Sequence, residues 1–273
     1  MTVDRPRPSP PGGHGAPSAR HLRSGIALDL GSARTRAWVP GWGLLLDAPT
    51  RTSSDPDASR PLRQGAIVDP EGTARMLEHL LGRHLPRSEG LPFALTTPVL
   101  GGIPYREAAL AALRVLRPRT VVTVPTAKAI ALGAHADLSH PLVIVDVGAQ
   151  VTEVFLLVDG AVADAHRAAL GTDDLDGAAT HHELAEAVAA MVADTVGPDR
   201  TPQATDALQH GVLLAGGGAL RPEVPRRLAK RLSVPIQPIP APHTAAVRGA
   251  AQFLQAAHGR PPATGVAALP RQR

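Results

Sequence analysis

The sequence predicts a duplicated α/β fold, two sheet-and-helix units facing one cleft, and three observations predict it. Strand-like apolar runs alternate with helix-period segments, the pattern of sheets covered by helices. Two of those runs, GIALDLGSARTRAWV from Gly25 and PLVIVDVGAQVTEVF from Pro141, share one order: apolar strand, Asp, one residue, Gly, small turn, Thr, strand. The second run continues through Asp159-Gly160, a short-range hairpin signal, so a unit opening on antiparallel strands is expected to occur twice.

Taken in order, strand, turn at Gly31–Thr35 and return strand lead to a third short strand at Gly43–Asp47. A polar loop follows over Ala48–Arg60. VDPEGTARMLEHLLGRHL places Met76, Leu77, Leu80 and Leu81 on one helical face, with Asp69 before Pro70 as N-cap. LPFALTTP reads as a buried strand, Tyr105–Leu116 as a helix, Thr120–Val124 as a strand and Thr126–Ala136 as a helix. In the second unit a helix ends near Val196, with Leu184, Val188, Met191 and Val192 on its inner face, and Gly197–Thr201 is a loop. QHGVLLAGGG is a strand running into glycines. Glu223–Leu232 is a helix, Val234–Ile239 a short strand, and Thr244–Ala257 the last helix.

Composition narrows the class. With 273 residues, the chain has material for one large core or two smaller ones. Aromatics are only 2%, so Ala, Val, Leu and Ile must fill the interior, and without cysteine neither disulfides nor thiolate metal sites exist. No apolar run approaches the roughly 20 residues of a membrane-spanning helix, and no signal-peptide core follows Met1; a cytoplasmic protein is expected. The net charge of +4 belongs to the ends: residues 1–24 and 260–273 each carry +3, leaving the middle near −2. Both ends are rich in Pro, Gly and Ala and read as disordered basic tails over 1–24 and 259–273. A nucleic-acid binder would carry a basic patch among aromatics, so none is expected. Attraction of the tails to an anionic membrane face is worth roughly 1 kcal/mol per Arg near the surface.

The candidate site follows from the duplication. Asp29 and Asp146 end apolar strands, where a carboxylate is costly without a partner; as a matched pair they suit water-mediated contact with a hydrated Mg²⁺. Gly31, Ser32, Ala33 and Arg34, and Gly148, Ala149 and Gln150, form small turns whose backbone N–H groups suit phosphate oxygens. Gly216, Gly217, Gly218 and Ala219 form a third glycine-rich connection. GxGxxG and Walker A patterns are absent. His181-His182 diverge by about 100° on a helix and do not share one ion. Asp173, Asp174 and Asp176 are read as capping a helix start.

Together these motifs resemble the actin and sugar-kinase superfamily, and within it the bacterial rod-shape-determining MreB family. IALDLGSARTRAWV is similar to its first phosphate motif, and PLRQGAIVDPEGTARMLEHLL to the segment RPLKDGVIADYEVTEKMLKYFI. VDVGAQVTEVFLLVDGAV is similar to the second phosphate motif, VDIGGGTTEVAVISLGGIV. GVLLAGGGALRPEVPRRLAKRLSVPI resembles the adenosine-side motif. The resemblance spans most of residues 25–256. It implies two RNase H-like subdomains around an ATP and Mg²⁺ cleft: a first half over 25–139, to which a final helix at 243–258 returns, and a second half over 140–242.

The departures carry their own implication. TVPTAKAIALG puts Val124 where the family places a water-positioning glutamate, and Gln150 replaces the third glycine of the second turn, where it crowds the γ-phosphate or reshapes the turn. Little chain is left between Val39 and Pro61, or between Gly177 and Glu183, for the family's small upper subdomains. The expectation is a truncated, degenerate cell-shape or cytoskeletal protein that binds ATP weakly and hydrolyses it poorly or not at all. Its partners would be cytoskeletal or cell-wall-synthesis proteins, full-length filaments of the family among them. The alternatives are an active ATPase with water positioned by Thr123 or Gln150, and a nucleotide-free scaffold.

Overall fold

The computed structural model describes residues 17–52, 59–86, 90–176, 180–196 and 202–259. The tail expected over residues 1–16, the loop expected at 197–201 and the tail expected from 260 lie outside them. Each half of the chain builds one five-stranded sheet, and the two sheets have the same order. In the first, β1 (Ile26–Leu30), β2 (Arg34–Val39) and β3 (Gly43–Pro49) form an antiparallel meander. β6 (Pro92–Thr97) and β7 (Thr120–Pro125) extend it in parallel beyond β1, giving β3-β2-β1-β6-β7. In the second, β8 (Leu142–Val147), β9 (Thr152–Val158) and β10 (Ala161–Ala168) repeat the meander. β11 (Val212–Ala215) and β12 (Ile236–Pro238) repeat the parallel extension, giving β10-β9-β8-β11-β12.

Both faces of each sheet are covered, which is why β1 and β8 read as nearly unbroken apolar runs. On the outer face of the first sheet, Ile26, Leu28 and Leu30 pack with α2 (Pro70–Leu81) and α3 (Gly102–Leu113). On the outer face of the second, Val143, Val145 and Val147 pack with Leu184 and Val188 of α5 (His181–Val196). Ala204 of α6 (Pro202–Gln209) and Val224 and Leu228 of α7 (Glu223–Leu232) complete that cluster. Side chains alternate along a strand, so the intervening residues, Ala27 and Asp29 on β1 and Ile144 and Asp146 on β8, point to the inner faces.

Two helices cover those inner faces, and each leaves one sheet to pack on the other. α4 (Thr126–Gly133) follows β7, yet Ala127, Ile130 and Ala131 pack with Ile144, Phe155 and Leu157 of the second sheet. α8 (Ala245–Gly259) follows β12, yet Val247, Ala250, Ala251 and Leu254 pack with Ala27 and Ala94 of the first. They cross backbone to backbone: a Cβ on Gly133 would lie 2.0 Å from the Ala245 carbonyl oxygen, and one on Gly249 only 1.7 Å from that of Ala129. Arg248 locks the crossing by donating to the carbonyl oxygens of Gly133, at 2.9 Å, and Pro240, at 2.6 Å.

Three short elements depart from the sequence reading. α1 (Ala19–Arg23) lies inside the segment read as tail; Ser18 caps it and Leu22 is buried in the first core, so one apolar anchor overrides an unfavourable composition. β4 (Leu62–Arg63) and β5 (Ala66–Ile67) form a hairpin too short for periodicity to reveal, turning through Gln64 and Gly65 with φ of 47° and 73°. α6 buries only Ala204 and Ala207 and gave no apolar stripe. The Asp69 cap holds, its carboxylate accepting from the Gly72 N–H at 2.7 Å, and so does the Asp159-Gly160 hairpin turn.

Gly249→Ala forces the two crossing helices apart. The expected cost is about 2–3 kcal/mol, a fall in Tm of roughly 5–10 °C. Gly82→Ala, whose added Cβ would meet only the Glu78 Cγ at 3.7 Å, should leave the melting curve unchanged.

Candidate functional site

The duplication extends to individual hydrogen bonds. Between β1 and β2 the Gly31 N–H donates to the Arg34 carbonyl at 3.0 Å; between β8 and β9 the Gly148 N–H donates to that of Val151 at 2.9 Å. Neither turn tolerates a side chain at its glycine, since a Cβ would lie 2.9 Å from the same carbonyl oxygen in each case. Each turn is also braced from behind by the chain leaving its third strand. The Thr50 N–H donates to Ala33 O, and Thr50 Oγ1 to Gly31 O at 2.7 Å. In the second half Thr172 N–H donates to Gly148 O and Asp173 N–H to Ala149 O, at 2.9 and 2.8 Å.

Both turns face a cleft of about 260 Å³ between the inner faces of the sheets. Asp29, Gly31, Ser32, Ala33 and Arg34 line it from one side, Asp146, Gly148, Ala149 and Gln150 from the other, and Gly216 and Gly217 from the end of β11. Gly216 has φ 82°, and a Cβ there would strike Val147 O and Asp146 Oδ1 at 2.3 and 2.4 Å. Gly217 has open space before it. Gly218 and Ala219, grouped with them in the sequence reading, are buried behind the cleft, Gly218 against Val147.

A row of charge crosses the floor. In the first sheet Asp29 pairs in register with Arg36, and Arg36 with Asp47. In the second, Asp146 pairs with Glu153, and Glu153 with Arg167. Arg36 and Glu153 therefore hold equivalent positions with opposite charge. Glu153 is nearly fully buried and is held by Arg167, whose Nε and NH2 reach its Oε1 at 3.0 and 2.7 Å. Asp29 accepts from Thr96 Oγ1 at 2.6 Å. Burial, then the nearby Glu153 and Asp29 charges, push Asp146 from its ordinary value up to about 7, against the pull of Arg36. Burial also raises Glu153, opposed by Arg167.

A family model described as MreB/Mbl protein matches residues 50–183. Crystal structures of MreB5 from Spiroplasma citri superpose on the chain: the AMPPNP-bound form with TM-score 0.73 at 16% identity, covering 85% of this chain and 96% of that one. The ADP-bound form gives TM-score 0.72 at 15% identity, covering 86% and 98%. The chain shares the actin-like fold of these proteins over 85% of its length. The ethanolamine utilization protein EutJ from Carboxydothermus hydrogenoformans shares that fold at TM-score 0.61 and 16% identity, over 84% of this chain and 89% of that one.

The β4–β5 hairpin bridges the two turns at the edge of the cleft. The Gln64 N–H donates to Gln150 Oε1 at 2.9 Å and the Gly65 N–H to Ser32 Oγ at 3.1 Å, so one hairpin turn is held by both glycine turns. Arg60 adds an ion pair to Asp173 at 2.9 Å. Gln150 thus leaves the second turn in the shape of the first and sends its side chain to the hairpin.

Among the described side chains the acidic run does not cap α5; Asp174–Asp176 forms a short 3-10 turn of its own. Asp173 pairs with Arg60, Asp174 accepts from the Gly171 N–H at 2.8 Å, and the Asp176 side chain lies outside the described residues. α5 starts five residues later on a capping box, Thr180 with Glu183. No group of three or more His, Cys, Asp or Glu suited to a metal occurs among the described residues, and no helix there is long and apolar enough to cross a membrane. The sequence reading missed Arg36, Glu153, Asp173, Thr172 and His243 in the cleft wall. The first two were within reach: a four-residue turn pairs each strand-ending aspartate with the residue seven further on.

Because the folded protein favours the protonated form of Asp146, its stabilising contribution is full below pH 3.8 and declines as pH rises through about 7. Asp146→Asn removes that decline. In urea unfolding, the variant should gain about 2–3 kcal/mol on the wild type between pH 5 and pH 8.5. Gln150→Ala should raise amide hydrogen exchange at Gln64 by roughly fivefold, about 1 kcal/mol for one lost hydrogen bond.

Proposed function

We propose that this MreB-like protein holds a nucleoside triphosphate between its two glycine turns, hydrolyses it poorly or not at all, and acts in cell-shape or cytoskeletal control through protein contacts. One observation carries the reading: the two turns make the same hydrogen bond, tolerate no Cβ at the same position, and open onto one cleft that Gly216 lets the backbone approach. That is the donor set a polyphosphate needs, backbone amides with no side chain in the way. Crystal structures with the same fold hold AMPPNP and ADP. Gly217, with open space before it, is the position suited to the nucleoside end.

Weak hydrolysis is supported by Val124. It sits on β7 opposite Thr96, wholly buried, and has no oxygen with which to orient a water. The rival water-positioner Gln150 already spends its carbonyl oxygen on the Gln64 amide. An assembly role confined to the end of a longer filament is supported by the short connections: residues 50–61 join β3 to β4, and 169–180 join β10 to α5. In this reading the protein resides in the cytoplasm, its basic ends available to a membrane face.

The Mg²⁺ expected from Asp29 and Asp146 fits the residues poorly. Asp29 already accepts from Thr96 and stands opposite Arg36 in the sheet, and Arg36 lines the same cleft. A divalent ion binds through charged oxygens and its own waters, and a neighbouring guanidinium opposes it.

A second reading, a nucleotide-free scaffold, is favoured by the hairpin that ties the two turns together at the edge of the cleft. Calorimetric titration with ATP decides between them: measurable heat and a raised Tm support the nucleotide reading, and neither supports the scaffold. Gly216→Val should abolish the response. Phosphate release should stay near background in the wild type; sustained turnover would favour the active ATPase.

A further inference from the structure

We propose that Arg36 takes the place of the divalent cation in the cleft, so that a di- or triphosphate binds without metal. The proposal rests on the nucleotide reading above and concerns how the same site neutralises its ligand. Its basis is the position of Arg36: directly opposite Asp29 on one side and Asp47 on the other, and lining the cleft with Asp29 and Asp146. Residues paired in this way have Cβ atoms about 5 Å apart, so Arg36 and Asp29 rise from neighbouring positions on the floor.

Arg36 also has a donor without a hydrogen bond. Its side chain is 14% exposed, so the charge is little screened. Its Nε lies 3.4 Å from Asp47 Oδ2, and that buried Nε makes no hydrogen bond among the described residues. Asp47 is already engaged, since Arg34 directs its Nε to Oδ1 and its NH2 to the Asp47 carbonyl oxygen at 2.7 Å. Two guanidinium groups share the Asp47 carboxylate, and with Asp29 counted the row balances at two Arg against two Asp. On the other sheet Glu153 and Arg167 cancel one for one and Asp146 is left over, so the Asp29 side is the less negative wall of the cleft. His243, lowered first by burial and then by Arg36, is neutral near pH 7 and adds no charge.

A guanidinium held only by a 3.4 Å ion pair, lining the cleft beside two phosphate-sized turns, can still meet an anionic acceptor. A guanidinium presents a planar fork that spans two phosphate oxygens, stays charged at every working pH, and needs no water shell of its own. A divalent ion would have to share the floor with that fixed charge.

The test uses the full chain and two probes, ATP and inorganic pyrophosphate, each titrated in EDTA and in Mg²⁺ with both calorimetry and Tm as readouts. The expected result is a Kd in EDTA within about threefold of that in Mg²⁺, with Arg36→Gln losing at least tenfold in EDTA and recovering in Mg²⁺, while Arg36→Lys keeps part of the affinity. Wild-type binding that appears only with Mg²⁺ overturns the role of Arg36 and leaves the nucleotide reading intact. Absence of binding to either probe in both conditions overturns both. Since the EDTA arm on the wild type decides alone, a variant that fails to fold does not rescue the proposal.

Discussion

The contact between α4 and α8 sets the geometry of everything else. Each helix starts from one sheet and packs on the other, so the sheets cannot separate without either stripping a helix from its core or pulling the crossing apart. Only glycine at 133 and 249 lets the helix backbones approach as they do. Close backbone approach holds the two inner faces on either side of one cleft, which the strand-ending turns line. The cleft is therefore a consequence of the crossing. Arg248, bonded to the end of α4 and to the segment before α8, fixes the crossing angle through main-chain acceptors and needs no particular neighbouring side chain.

Much of this architecture could be read from the residues before any coordinates. The duplicated strand-turn-strand runs, the Asp69 cap, the Asp159-Gly160 hairpin and the Glu223–Leu232 helix all depend on local chemistry, and local chemistry is what a sequence displays. What escaped it is held by distant partners. The β4–β5 hairpin has two residues per strand and stands because Ser32 and Gln150, from opposite halves, accept its turn amides. α1 exists because Leu22 finds the first core. Asp174 bonds back to Gly171 where a helix cap was expected, since Gly171 must press against Ala149 to brace the second turn.

The site divides in the same way. The glycines were legible as glycines, because their need for close approach is a property of the residue. The charges opposite the aspartates were not, because they are assigned by register. Once the turns are known to hold four residues each, Arg36 and Glu153 follow from counting. The meaning of the pair still depends on the third strand, where Asp47 faces one and Arg167 the other.

That third strand is where the two halves stop being copies. Backbone hydrogen bonds, strand order and turn shape are repeated faithfully, while the charges laid on them run negative–positive–negative in one sheet and negative–negative–positive in the other. A repeated backbone preserves the cradle, because the cradle is made of amides and glycines. The electrostatics of the floor belong to side chains that the fold does not constrain, and one substitution per rung inverts them. In the second half the charges close on themselves through the Glu153–Arg167 pair; in the first they leave a buried guanidinium nitrogen without a hydrogen-bond acceptor. A buried donor of that kind is costly unless something anionic meets it. The asymmetry thus gives the cleft a direction, with the first sheet supplying the charge and both sheets supplying the amides.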